Sequence, residues 1–219
     1  KAKNILKRIF NVRGDHYIFL NEAVRRGFRF DNLGSYSLRT MGFHGSLITA
    51  SQEKEYDVVY AGSLRKGLFQ TIVKLSQLGL SVGVVGIDRR SIPCWVFEAA
   101  GKVVWFGKKD LKDTYRIMQR GNVGLNFTPN VYPLNIQEST KVIEYCACGL
   151  GVITNCYKWV EEFEELTGSR FLRLENIRTR SDVTEFPYKV GDVSHYEWGR
   201  VIANSRIVDT VDKLVSGRA

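Results

Sequence analysis

From Tyr56 onward the apolar pattern switches repeatedly between two periods, and this alternation constrains the fold more than any other feature of the chain. Short apolar runs fit buried strands at Asp57–Ala61, Ser81–Ile87, Lys102–Phe106, Val123–Phe127, Gly151–Thr154 and Arg170–Leu174. Between them, apolar residues three and four apart predict helices over Gly67–Leu78, Ile92–Ala100, Leu111–Arg120, about 139–149 and around Trp159–Leu166. Residues 175–192 are polar and irregular, and one final helix is expected from about Ser194 to Val215. Helical crossovers of this length return the chain parallel to itself. The expected fold class is therefore α/β, a Rossmann-like parallel sheet with helices on both faces and right-handed connections.

The first 50 residues do not share the pattern. Ile5, Leu6, Ile9 and Phe10 predict a short helix within residues 1–10, Tyr17–Leu20 a strand, and Asn21–Arg26 the start of a helix that ends at Gly27. From there to Ala50 the chain is rich in Gly, Ser and aromatics, which reads as loop with room for short strands. Fifty residues are too few for a second Rossmann-like domain, which needs about 100. The expected division is a tail of an N-terminal domain plus linker over 1–50, and the α/β domain with its C-terminal helix over 51–219.

Charge is placed unevenly. Net charge is +9, and residues 1–50 hold nine Lys or Arg against three Asp or Glu. Such a basic end fits an anionic membrane surface or a plain solvated face, and no nucleic-acid-binding motif accompanies it, so no nucleic-acid partner is expected. No apolar run approaches the roughly 18 residues of a membrane span, and the start lacks a signal-peptide pattern. The four cysteines form no CxxC pair and the three histidines lie far apart, so no metal site is expected. Reduced thiols fit a cytoplasmic protein.

Chemistry concentrates in Ser139-Thr140-Lys141-Val142-Ile143-Glu144-Tyr145-Cys146-Ala147-Cys148-Gly149. Val142, Ile143, Cys146 and Ala147 share one helical face, and Lys141 and Glu144 share another. Ser139 or Thr140 caps the start and Gly149 closes the end. Hydroxyls, free N–H groups and a lysine at a helix start, beyond the end of a strand, make an anion site. The opposing reading is a surface ion pair between Lys141 and Glu144. A second anion loop, Gly62-Ser63-Leu64-Arg65-Lys66-Gly67, follows the first strand, where glycine admits close approach and Arg65 and Lys66 supply charge. Gly107 and Lys108 end the third strand. Tyr132, Asn135 and Glu138 lie in the loop before the central helix. His44, between glycines, could face a cleft, but a lone loop histidine is more often an ordinary surface residue.

The run STKVIEYCACGLGVITN resembles the segment K-x-x-E-Y-x-A-C-G-x-P-V-I of retaining glycosyltransferases with the GT-B fold. Gly62–Gly67 resembles that family's G-R-L-x-x-x-K-G loop, shortened, with Ser63 at the arginine position. The match covers about residues 56–175. Two departures stand out: Gly151 where the family usually has proline, and Ile136 where many members have a first glutamate, with Glu138 the nearest acid. The resemblance implies the donor-binding, C-terminal half of such an enzyme, and an N-terminal fragment belonging to the acceptor domain. It implies nucleotide-sugar contacts from Gly62, Arg65, Lys66, Ser139, Thr140, Lys141 and Glu144, with Gly107, Lys108, Tyr132, Asn135 and Glu138 as outer candidates. Lys141 and Glu144 would meet the diphosphate and ribose, Gly107 and Lys108 the base, and Tyr132 and Asn135 the sugar. The donor would be a nucleoside diphosphate sugar, the acceptor a glycan or lipid-linked glycan at the inner face of the membrane, as in polysaccharide biosynthesis. No metal or other cofactor is implied, and the catalytic residues stay unassigned. A non-catalytic nucleotide- or sugar-binding module and a nucleotide-sugar epimerase of the same fold are the alternatives.

Overall fold

The structure, a computed structural model, describes residues 16–28, 35–49, 52–132 and 134–217. The helix expected within residues 1–10 lies outside these. Strand β1 (His16–Phe19), helix α1 (Glu22–Phe28) and strand β2 (Ser35–Leu38) form a small unit in which β1 and β2 pair in parallel. The larger unit follows: β3 (Tyr56–Ala61), α2 (Leu68–Gln77), β4 (Val82–Val85), α3 (Cys94–Ala99), β5 (Val103–Gly107), α4 (Leu111–Gln119), β6 (Gly121–Asn126), α5 (Thr140–Ala147), β7 (Gly151–Thr154), α6 (Lys158–Thr167) and β8 (Leu172–Arg173). Helices α7 (Ser181–Thr184), α8 (Trp198–Ser205) and α9 (Ile207–Val215) complete the described chain.

β3 to β8 form one six-stranded sheet, ordered β5-β4-β3-β6-β7-β8, with every pairing parallel. This is the α/β class that the alternation predicts. Both sheet faces are covered, which is why the strands read as continuous apolar runs and not as alternating ones. Val58 and Tyr60 point into one core with Leu68, Ile72, Leu125 and Ile153. Val59 and Ala61 point into the other with Tyr115, Ile143, Tyr145 and Phe163.

The order reverses at β3. The chain leaves β3 towards β4 and β5, then returns to place β6 on the other side of β3. Loops beyond the C-terminal ends of β3 and β6 therefore diverge and leave a crevice, the place where open α/β sheets bind ligands.

The final helix differs from expectation. It is two helices, broken at Arg206, whose φ of 51° is left-handed and cannot continue a right-handed helix. Val201 is buried, whereas Ile202, Val208, Val211 and Leu214 stay exposed, so packing holds only part of the first segment in line with the domain. The strand expected over Arg170–Leu174 shortens to Leu172–Arg173 at the sheet edge. Within residues 175–192, expected to be irregular, α7 forms where the Asp182 carboxylate accepts the Arg178 and Thr179 N–H groups, both at 2.7 Å.

Candidate functional site

The start of α5 is fixed from below by a buried polar network. Asn126, fully buried at the end of β6, donates through its amide to Thr154 Oγ1 and Tyr157 OH, each at 3.0 Å. Its Oδ1 accepts from Ser139 Oγ at 3.0 Å and Thr128 Oγ1 at 3.2 Å. Ser139 Oγ in turn accepts the Val142 N–H at 3.5 Å, capping the helix. Ser139 is thus buried and its hydroxyl satisfied by protein. What α5 presents outward is Thr140, Lys141 and the first free N–H groups of the helix.

Tyr145 ties the two diverging strands together. Its hydroxyl accepts the Ala61 N–H at 2.9 Å and donates to the Leu125 carbonyl at 3.3 Å, so the ends of β3 and β6 are held at one side chain. Immediately beyond Ala61 the chain turns at Gly62, with φ of 146°. A Cβ there would lie 3.4 Å from Lys141 Cδ, so Gly62 and Lys141, 79 positions apart, meet across the crevice.

Lys141 is half-buried, and among the described residues its ammonium has no ion-pair or hydrogen-bond partner. Burial, followed by the charge of Arg65, pushes it down to about 8, while Glu144 opposes the shift. The Glu144 carboxylate is pushed up to about 7 by burial, opposed by a hydrogen bond from Tyr115 and by Lys141. Tyr115 OH donates to Glu144 Oε1 at 3.1 Å and accepts the His44 N–H at 3.2 Å. The ion-pair reading of Lys141 and Glu144 is corrected here, since no ion pair joins these two half-buried side chains.

The other candidates divide. Arg65 and Lys66 are exposed in the loop between β3 and α2, within electrostatic reach of Lys141 in the case of Arg65. Gly107 ends β5 with φ of 71° and accepts the Gly86 N–H at 2.8 Å, two strands away from Gly62, with Lys108 exposed beside it. Tyr132 is 66% exposed and lies against Gly27 of α1. Asn135 has a buried Oδ1 that meets no partner among the described residues. Glu138 Oε2 accepts the Met41 N–H at 2.6 Å, and burial raises its carboxyl. The His44 ring leans on Trp198, so only its backbone reaches the site network. Tyr115, Asn126 and Tyr157 were not signalled by any motif, because each reads as an ordinary core or strand residue in sequence. Gly151 departs from the family's proline because the Tyr188 ring fills the space above it, 2.6 Å from where a Cβ would sit.

No protein-family model matches the sequence, and no curated protein matches it. Solved structures do. AviGT4, a glycosyltransferase involved in avilamycin A biosynthesis, is similar over 94% of this chain and 68% of its own, with 14% identity and a TM-score of 0.63. TarM is similar over 98% of this chain and 45% of its own, with 11% identity and a TM-score of 0.56. Anabaena Alr3699/HepE, solved in complex with UDP-glucose, is similar over 96% of this chain and 58% of its own, with 14% identity and a TM-score of 0.54. The chain spans about half the length of the last two. The fold shared with these proteins is that of the GT-B glycosyltransferases.

Proposed function

We propose that this chain is the donor-binding part of a glycosyltransferase that moves a sugar from a nucleoside diphosphate to a glycan or lipid-linked acceptor. The observation that carries this reading is Lys141: a half-buried lysine whose ammonium meets no anionic partner among the described residues, at the start of a helix, facing Gly62 in the switch-point crevice. A partly desolvated cation gains when an anion completes it. A diphosphate fits, since it meets the ammonium, the free N–H groups of α5 and the charge of Arg65 and Lys66 together. Three residues along the same face, Glu144 suits the ribose hydroxyls. As the sugar departs, charge develops on the leaving diphosphate, and the same groups stabilise it without reorganising. The UDP-glucose bound by the similar HepE supports the choice of ligand class.

Calorimetric titration with UDP, GDP and pyrophosphate tests this. Lys141→Ala is expected to weaken all that bind by about 1.5–3 kcal/mol, the worth of a hydrogen bond to a charged group. Unchanged affinity in a folded variant removes Lys141 from the site and the reading with it.

A further inference from the structure

Helix α4 contributes one side chain to the site, Tyr115, which is fully buried. Its single hydroxyl serves Glu144 Oε1 at 3.1 Å and the His44 N–H at 3.2 Å. Among the described residues no hydrogen bond reaches Glu144 Oε2, so the carboxylate is held at one oxygen and open at the other. We propose that Tyr115 is a positioning residue that presents Glu144 Oε2 to the ligand's ribose and, through the same phenol oxygen, ties the occupied site to the backbone at His44. This rests on the reading of Glu144 as the ribose contact.

The segment it holds is a junction. Phe43 N–H donates to the Tyr196 carbonyl at 2.9 Å and Trp198 N–H donates to the Phe43 carbonyl at 3.1 Å, so residue 43 is clamped to the approach to α8. Two residues earlier, Met41 N–H is held by Glu138, in the loop that leads into α5. Residues 41–44, which join the β1–β2 unit to the sheet, are therefore bonded to the site loop, to α4 and to the approach to α8. A phenol suits the post because it donates and accepts at one rigidly placed atom. Burial, then the charge of Glu144, pushes the Tyr115 phenol well above its usual range, so it stays protonated and donates. Lys141 and Tyr145 of α5, Cys148 directly after it and Tyr115 of α4 are the titratable groups around Glu144. Of these, Tyr115 and Lys141 favour its ionised form.

The test is Tyr115→Phe, which keeps the ring and removes the hydroxyl. UDP and pyrophosphate are titrated between pH 5.5 and 9, and amide hydrogen exchange of residues 43–47 is followed with and without UDP. The expected result is about three- to tenfold weaker UDP binding, the worth of one hydrogen bond, with pyrophosphate unchanged. The acid limb of UDP binding moves to higher pH, and UDP no longer protects the His44 amide. In a Glu144→Gln background the same change costs no further UDP affinity. Equal losses for UDP and pyrophosphate, an unmoved acid limb, or additive losses in the double variant overturn the proposal. Should Tyr115→Phe fail to fold, the unaltered protein decides, because UDP but not pyrophosphate must slow exchange at His44. A protein in which Glu144→Gln leaves UDP affinity intact refutes the ribose reading instead, and one that binds neither ligand refutes the donor site as a whole.

Discussion

Glu144 opposes the fold that contains it. Its carboxyl is raised to about 7, chiefly by burial, so the folded state binds a proton that the unfolded chain has released. Its destabilising effect is absent below the usual carboxylate range, grows as pH rises through it, and is complete above about pH 7. Glu144→Gln is therefore expected to stabilise the protein by about 1–3 kcal/mol at pH 8 and by almost nothing at pH 4.5, read from denaturant midpoints at both pH values. Equal effects at the two pH values contradict a buried, titrating Glu144. Binding has the opposite preference. Ribose hydroxyls donate best to an ionised Glu144, and the diphosphate needs a charged Lys141, whose depressed value is about 8. UDP affinity is expected to fall below about pH 7 and above about pH 8, whereas pyrophosphate shows only the alkaline fall. Calorimetry across that range checks it, and a flat UDP profile removes both groups from the contact.

At the scale of elements, the position of α5 depends on one amide. Asn126 has partners on Ser139, Thr128, Thr154 and Tyr157, all at the strand ends or the helix start. Asn126→Ala leaves several of those hydroxyls buried without their partner, and such groups cost about 1–3 kcal/mol each when nothing replaces the bond. The expected loss is about 2–4 kcal/mol of stability, with weaker binding of UDP and pyrophosphate alike, because the helix start shifts as a body. Full stability by urea unfolding would show that water fills the place of the amide. The same scale explains the proline missing from position 151. The Tyr188 ring lies where that side chain would be, so the connection from α7 takes over covering the start of β7.

At the scale of the whole molecule, the crevice is lined from the β3 and β6 ends of one sheet. This chain spans about half the length of the similar TarM and HepE chains, and the β1–β2 unit is a small parallel pair on the far side of the linker. Glycosyl transfer needs an oriented acceptor and exclusion of water, which a second wall provides. These 219 residues alone are expected to bind donor and leave it intact over hours with crude membrane extract as acceptor. Robust product formation or donor hydrolysis contradicts that. The basic first 50 residues are expected to bind anionic vesicles more at low salt than at high, at roughly 1 kcal/mol per basic residue near the surface. Equal sedimentation with neutral vesicles leaves them a solvated face. The sequence by itself determined the α/β class, the strand-by-strand order along the chain and the Lys141–Glu144 helix, because apolar period and capping chemistry are local. Only the tertiary structure decided which strands are neighbours, and hence that Gly62 meets Lys141 at the reversal beside β3. It also decided that Ser139 turns inward to Asn126, that Tyr115 holds Glu144, and that the last helix breaks at Arg206. Each of these depends on what a side chain packs against from a distant part of the chain, and no local period encodes that.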